Sequence, residues 1–246
     1  MGDDRKNVIL TGASRGIGHA TVKRFSDEGW RIITCSREAV PQECQRDPNW
    51  THHVTVDLTA SESVESFVVE ANGILGERPL HALINNAAVS PKTPFKERLG
   101  CLNGDVATWR EVFELNLFTP LVLARGLAAA LRRGQGCIVN ITSIAGHQIH
   151  PFAGSAYSTS KAALSALTRE LAVEFAELGV RVNAVAPGEI ETAMIGEEYE
   201  ALIPRIPMHR MGRPEEVASA VYQLCAADFG YVTGTEVFVT GGQHLY

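Results

Sequence analysis

With 246 residues, 45% of them hydrophobic and 20% charged, the chain carries enough apolar material for one substantial core. A net charge of −6 argues against a broad nucleic-acid or anionic-membrane surface, and no apolar run is long enough to span a bilayer. The opening "MGDDRKNVILTG" has no signal-peptide core, Lys6 stands where a myristoylation site favours Ser or Thr, and the five cysteines show no CxxC spacing. These features predict a cytoplasmic protein with reduced thiols.

In chain order, short β-branched or apolar runs predict strands at Asn7–Thr11, Arg31–Cys35, His53–Asp57, Ala82–Asn85, Gly136–Ile141, Arg181–Ala186 and Glu236–Val239. Helical patterns fill the intervals at Gly16–Asp27, Ser61–Leu75, Thr108–Arg132, Ser155–Ala176 and Pro214–Ala226. Strict alternation with strands apolar on both faces predicts an α/β fold, a doubly wound, seven-stranded parallel sheet with helices on both faces. Neither repeat nor linker interrupts the pattern, so residues 1–246 are expected to form one domain. Ligands of such sheets bind beyond the carboxyl ends of the strands, which directs attention to the loops that follow each strand.

The first of these loops is "TGASRGIG", Thr11 to Gly18. Gly12, Gly16 and Gly18 allow a tight turn and a close approach of backbone to a diphosphate resting on the next helix. The spacing is Gly-x3-Gly-x-Gly, and the Gly-Lys-Ser/Thr of a Walker loop is missing. Downstream, "SAYSTSKAAL" puts Tyr157 and Lys161 four positions apart, on one face of a helix.

The order "TGASRGIG" (11–18), "DL" (57–58), "NNAA" (85–88), "ELN" (114–116), "ITS" (141–143), "YSTSK" (157–161) and "PGEIET" (187–192) resembles the short-chain dehydrogenase/reductase family over nearly the full chain. The resemblance implies a Rossmann-like fold and hydride transfer between a nicotinamide cofactor and a carbonyl or secondary alcohol. Tyr157 is then the general acid/base, with Lys161 lowering the phenol pKa from about 10 and holding the nicotinamide ribose. Ser143 would hydrogen-bond the substrate oxygen, and Asn116 would hold a relay water near the lysine. Considered singly, an i,i+4 Tyr-Lys pair is usually a solvated face and a serine after a strand a cap; at matching positions together they read as catalytic.

For the cofactor, the resemblance implies contacts from Gly12, Ser14, Arg15, Gly16, Ile17 and Gly18 and from Asp57 and Leu58 at the adenine. It adds Asn85 and Ala87 along the adenosine ribose, Tyr157 and Lys161 at the nicotinamide ribose, and Pro187, Gly188, Ile190 and Thr192 at the nicotinamide. The second strand ends "TCSREA", with Ser36 at the usual acidic position and Arg37 after it. A hydroxyl flanked by Arg37 and Arg15 suits a 2′-phosphate, so NADP(H) is expected over NAD(H), although Glu38 offers a ribose an acceptor.

Other motifs are set aside. Ser158-x-x-Lys161 lacks the partners of a serine acyl-enzyme, and "HQIH" (147–150) lacks further metal ligands, so no metal is expected and those histidines are placed in a loop near the substrate. Substrate choice is assigned to loops Val89–Asp105, Gly146–Gly154 and Glu189–Pro207, with the acidic "GEEYEAL" (196–202) as a solvated lid helix. Glu189 there would disfavour anions. The chain is most similar in pattern to 3-oxoacyl-[acyl-carrier-protein] reductases, but "AELG" (176–179) lacks their basic docking residue, leaving Arg132 and Arg133 as a patch. Alternative readings are such a reductase and a non-catalytic NADP(H)-sensing protein. By resemblance, the partners are a small carbonyl or alcohol substrate and further copies of the chain, as homotetramer or homodimer, with no nucleic acid or membrane.

Overall fold

The structure, a computed structural model, describes residues 5–41, 44, 46–93, 97–192 and 197–245. The start of the N-terminal stub, positions 94–96 of the first substrate loop, positions 193–196 of the third, and Gly196 of the acidic segment lie outside the described residues. Seven strands form one parallel sheet: β1 (Asn7–Thr11), β2 (Arg31–Ser36), β3 (Trp50–Thr55), β4 (Ala82–Asn85), β5 (Cys137–Ile141), β6 (Arg181–Pro187) and β7 (Glu236–Val239). Their order is β3-β2-β1-β4-β5-β6-β7, so the chain reverses direction of growth between β1 and β4. That reversal opens a crevice at the carboxyl ends of these two strands.

Side-chain alternation along each strand builds two cores, one per face. Val8 and Leu10 of β1 join Val22 and Phe25 of α1 (Gly16–Asp27) and Val217 and Val221 of α7 (Pro214–Cys225). Ile9, between them, points the other way, to Val64 and Phe67 of α2 (Ser61–Leu75). The same core takes Leu171 of α6 (Ser155–Ala176). Ile9 and both its neighbours on β1 are at most 1% exposed, so the strand reads as an unbroken apolar run. Among the described residues, no single helix is long and apolar enough to cross a membrane.

Two predicted elements are corrected. The third strand begins at Trp50 and ends at Thr55, earlier than the predicted His53–Asp57. Its polar sequence hides the anchor: Trp50 is buried and its indole Nε1 donates to Thr34 Oγ1 at 2.6 Å, which sets the pairing with β2. Asp57 falls beyond the strand, where its Oδ1 accepts from Thr59 N and Oγ1 ahead of α2.

The helix expected over Thr108–Arg132 is not continuous. It is broken into α3 (Val106–Phe113), a π-helical turn (Glu114–Phe118), α4 (Thr119–Gly126) and α5 (Ala128–Gly134). Asp105 starts α3 early by accepting from Thr108 N at 2.6 Å. The π turn has a local cause: Pro120 has no N–H to give the carbonyl of Asn116, so the regular ladder cannot continue there. Thr119 N instead reaches back to Glu114 O, one residue further than in an α-helix.

Candidate active site

The crevice at the switch point is a cavity of about 580 Å³ running from the turn after β1 to the start of α6. Its floor at one end is the glycine turn. Gly12 has φ of +69° and its N–H donates to Cys35 O at 2.8 Å, while a side chain at Gly18 would put Cβ 2.1 Å from Gly12 O. Asn86 Nδ2 braces the turn by donating to Thr11 O at 3.0 Å and Gly12 O at 2.9 Å. At the N-terminus of α1 the N-cap is Arg15, no side chain caps it, and no acidic residue stands in the first turn. The first N–H groups of α1 therefore face the cavity edge without the usual side-chain acceptor, which suits a diphosphate.

Most of the residues expected at the cofactor line this cavity: Gly12, Ser14, Arg15, Gly16, Ile17, Gly18, Ser36, Arg37, Asp57, Leu58, Ala87, Pro187, Gly188, Ile190 and Thr192. Thr192 bends back over the glycine turn, its Cγ2 within 3.3 Å of where a Cβ on Gly16 would stand. Asn85 is an exception. Its side chain is buried, donating to Asn140 Oδ1 at 2.8 Å, and Asn86 takes its place in the cavity wall. At the far end of β2, Ser36 Oγ donates to Glu38 O at 2.6 Å, and exposed Arg15 lies 3.8 Å from Glu38.

Tyr157, Lys161 and Ser143 meet at the other end of the cavity. One turn of α6 separates Tyr157 from Lys161, whose Nζ lies 5.7 Å from the phenol ring centre. Lys161 is 2% exposed and its Nζ donates to Ile141 O at 2.6 Å, pinning the helix to the end of β5. Ser143, just beyond β5, accepts from Ala145 N at 3.1 Å and is hydrogen-bonded to the Tyr157 phenol.

The electrostatics differ from the sequence expectation of a lysine-lowered phenol. Burial pushes the Tyr157 pKa above its ordinary value, the Ser143 hydrogen bond opposes this, and the charge of Glu189 adds to it. Burial also draws Lys161 down to about 7. Among the described residues, no carboxylate offsets that effect of burial at Lys161.

Asn116 does not reach the cavity. It is completely buried in the π turn, where Oδ1 accepts from Val89 N at 2.9 Å and Nδ2 donates to Val89 O at 3.1 Å and Ser160 Oγ at 3.0 Å. Both amide hydrogens are committed, so the side chain clamps the loop after β4, while Pro120 leaves the Asn116 carbonyl without a helical N–H. The histidine motif also divides. His150 lines the cavity, but His147 turns away to pair with Glu236 at 3.0 Å and pack against Phe238.

The cavity includes residues beyond those expected at the cofactor and the reacting groups. Glu189 is buried in its wall, and Lys92, Glu198 and Tyr199 stand at its substrate end. All four fall in loops expected to govern substrate choice, but the acidic segment expected as a solvated lid helix is a 3₁₀ stretch (Glu197–Arg205) whose Tyr199 and Leu202 are buried, Tyr199 against Phe152 with ring centres 4.9 Å apart.

A family model described as Enoyl-(Acyl carrier protein) reductase matches residues 12–244. The chain is 52% identical over 242 residues to Protein FixR of Bradyrhizobium diazoefficiens, covering 98% of this chain and 87% of that one. It is 33% identical to L-fucose dehydrogenase of Bos taurus, covering 98% and 90%. A solved short-chain dehydrogenase/reductase family oxidoreductase from Brucella ovis, in complex with a partially ordered NAD, superimposes with a TM-score of 0.83 at 46% identity, covering 96% of this chain and 100% of that one. The chain belongs to the short-chain dehydrogenase/reductase family, oxidoreductases that act on alcohol and carbonyl groups with a nicotinamide cofactor.

Proposed function

We propose that the protein is an NADP(H)-dependent oxidoreductase that moves a hydride between nicotinamide and a carbonyl or secondary alcohol, with Tyr157 as general acid/base. The observation that carries this reading is the convergence of Tyr157, Ser143 and Lys161 on one end of a cavity whose other end is the uncapped N-terminus of α1. When bound, the cofactor supplies the hydride acceptor or donor and, in its oxidised form, a positive charge. Glycines 12, 16 and 18 would take its diphosphate, and Lys161 its nicotinamide ribose.

In oxidation the alcohol O–H proton passes to the Tyr157 oxygen as the carbinol C–H leaves as hydride; reduction is the reverse. Ser143 donates to the substrate oxygen and steadies the charge that develops on it. Proton transfer needs the phenol to ionise, which the protein alone opposes through burial and Glu189. The charge of the oxidised cofactor and a protonated Lys161 are what would reverse that balance.

The preference for NADP(H) rests on Arg15 and Arg37 at the β2 end of the cavity and on the absence of an acid at position 36. We further infer one catalytic domain spanning the chain, since strands from residue 7 to residue 239 belong to one sheet. A homodimer or homotetramer is in keeping with exposed Phe118 and Val173 on the helices outside that sheet.

Loss of NADPH and of NADH absorbance across ketones, diketones and acyl thioesters tests the reading, with Tyr157→Phe beside the wild type. Turnover with NADPH that falls by about 10²–10⁴-fold in the variant is the expected result. Turnover unchanged in Tyr157→Phe would remove the phenol from the mechanism, and binding of NADPH without turnover across the panel would favour a sensing protein.

A further inference from the structure

Glu189 is 4% exposed, yet it lines the cavity that contains the Tyr157 phenol. Two side chains hold it in place. His150 Nε2 lies 2.7 Å from Glu189 Oε1, and Gln243 Nε2 donates to the same oxygen at 3.1 Å. The tautomer of His150 follows from its other nitrogen: Nδ1 accepts from Phe152 N at 3.1 Å and Ala153 N at 3.0 Å, so it carries no proton. His150 is therefore a neutral Nε2–H donor, and the pair retains the full negative charge of the carboxylate.

Both supports fall on Oε1. Among the described residues, Oε2 receives no hydrogen bond. Oε2 is not sealed off from the cavity, so a donor arriving there completes the hydrogen bonding of a carboxylate that the protein braces on one oxygen only. The surroundings make that donor a ligand. Tyr199 and Phe152 close over His150, with ring centres 5.8 and 6.2 Å from it, which excludes bulk water from that side. At the rim, Lys92 and Glu198 pair with each other at 2.9 Å, so the nearby lysine is already engaged. Burial raises the pKa values of Tyr157 and Tyr199 and the Glu189 charge adds to both, in keeping with its place in the wall of the cavity that the two phenols share.

We propose that Glu189, braced by His150 and Gln243, determines substrate specificity by accepting a hydrogen bond through Oε2 from a donor group that the substrate carries close to its reacting carbinol. This rests on the oxidoreductase reading above and narrows it. The substrate class is polyhydroxylated or amino-bearing alcohols and their ketones. Simple monoalcohols leave Oε2 unpaired, and 2-hydroxy acids set a second carboxylate against it.

The test uses the full-length protein with NADP+ or NAD+ present, and compares wild type with Glu189→Gln, which keeps shape and removes the charge. The probes are C4–C6 vicinal diols and alditols, 2-amino alcohols, monoalcohols and 2-hydroxy acids on the same carbon skeletons. Calorimetric affinity and kcat/KM are both read. Wild type should favour diols or amino alcohols over the matching monoalcohols by about 100-fold or more, because a site built for a donor rejects the analogue without one. The variant should reduce that ratio to less than about tenfold and bind the 2-hydroxy acids more tightly than wild type does. That gain in binding cannot arise from a misfolded variant.

A preference for amino alcohols over diols would identify the donor as an ammonium, and the reverse as a hydroxyl; either supports the proposal. Equal ratios in the two proteins, or no donor preference in the wild type, would overturn it while leaving the hydride-transfer reading intact. Donor-selective binding without turnover would do the opposite, sustaining the Glu189 site and defeating the catalytic reading. No measurable affinity for any donor-bearing probe would also overturn it.

Discussion

The ammonium of Lys161 lies 2.6 Å from the main-chain carbonyl of Ile141, joining the middle of α6 to the last residue of β5. This bond orients the lysine under the Tyr157 ring and aligns the helix with the strand that delivers Ser143. It does so at an electrostatic cost, since burial lowers the lysine pKa from its ordinary value to about 7.

The unfolded chain holds the lysine proton up to about pH 10.4, whereas the folded chain releases it near 7, so the folded state is penalised most below pH 7. The penalty fades as pH rises from 7 towards 10, where the unfolded lysine also loses its proton. Lys161→Met should therefore stabilise the protein by about 1–3 kcal/mol at pH 6, with the gain shrinking towards pH 10. Urea melts of both proteins across that range measure it; a gain that grows with pH would contradict the assignment.

Arg37 provides a test of cofactor choice. If its guanidinium faces a 2′-phosphate, Arg37→Asp should weaken NADPH binding by about 10–100-fold and NADH binding by less than about threefold. Fluorescence titration with each cofactor decides the matter. Equal weakening would make Arg37 a surface charge and leave Glu38 to face a ribose. The Arg15–Glu38 pair is exposed on both sides at 3.8 Å, so it is too weak to hold Arg15 away from a phosphate.

Asn116 is expected to act on stability and on the loop after β4 more than on chemistry. Asn116→Ala strips Val89 of partners for both its N–H and its carbonyl, and leaves the Ser160 hydroxyl without its amide donor. The loss should be about 2–4 kcal/mol of unfolding free energy. At a temperature where the variant stays folded, NADPH affinity should change by less than about threefold. A variant as stable as wild type would show that the clamp is dispensable.

Gly18→Ala probes the turn that receives the diphosphate. The added Cβ would stand 2.1 Å from Gly12 O and 2.6 Å from Asn86 Nδ2, and the first of these is rigid backbone. The chain must open the turn to accept it, so destabilisation of about 2 kcal/mol or more is expected, together with loss of NADPH binding. Gly73→Ala, on α2 with open space around it, is the control and should leave both unchanged or slightly improve stability.

The order of residue types was enough to specify the alternation of strands and helices, because a parallel sheet buried on both faces demands apolar runs such as Val8–Ile9–Leu10 and tolerates little else. The glycine turn and the Tyr157–Lys161 pair were equally legible, since both are local: a tight loop requires glycine at particular steps, and residues four apart on a helix share a face. Ser143 and the loop after β6 were legible through their order along the chain.

The other features depend on contacts between distant segments. Trp50 became part of β3 by bonding to Thr34, and no pattern in "NWTHH" announces that partner. Asn116 became a clamp because Val89 and Ser160 arrive on either side of it, and Asn85 left the cavity because Asn140 took its amide. The sign of the Tyr157 shift was likewise out of reach, since it sets burial and the charge of Glu189 against one hydrogen bond from Ser143, all supplied from outside α6. The Glu189–His150–Gln243 cluster joins three loops separated by 39 and 54 residues, and a charge is buried there only because all three meet.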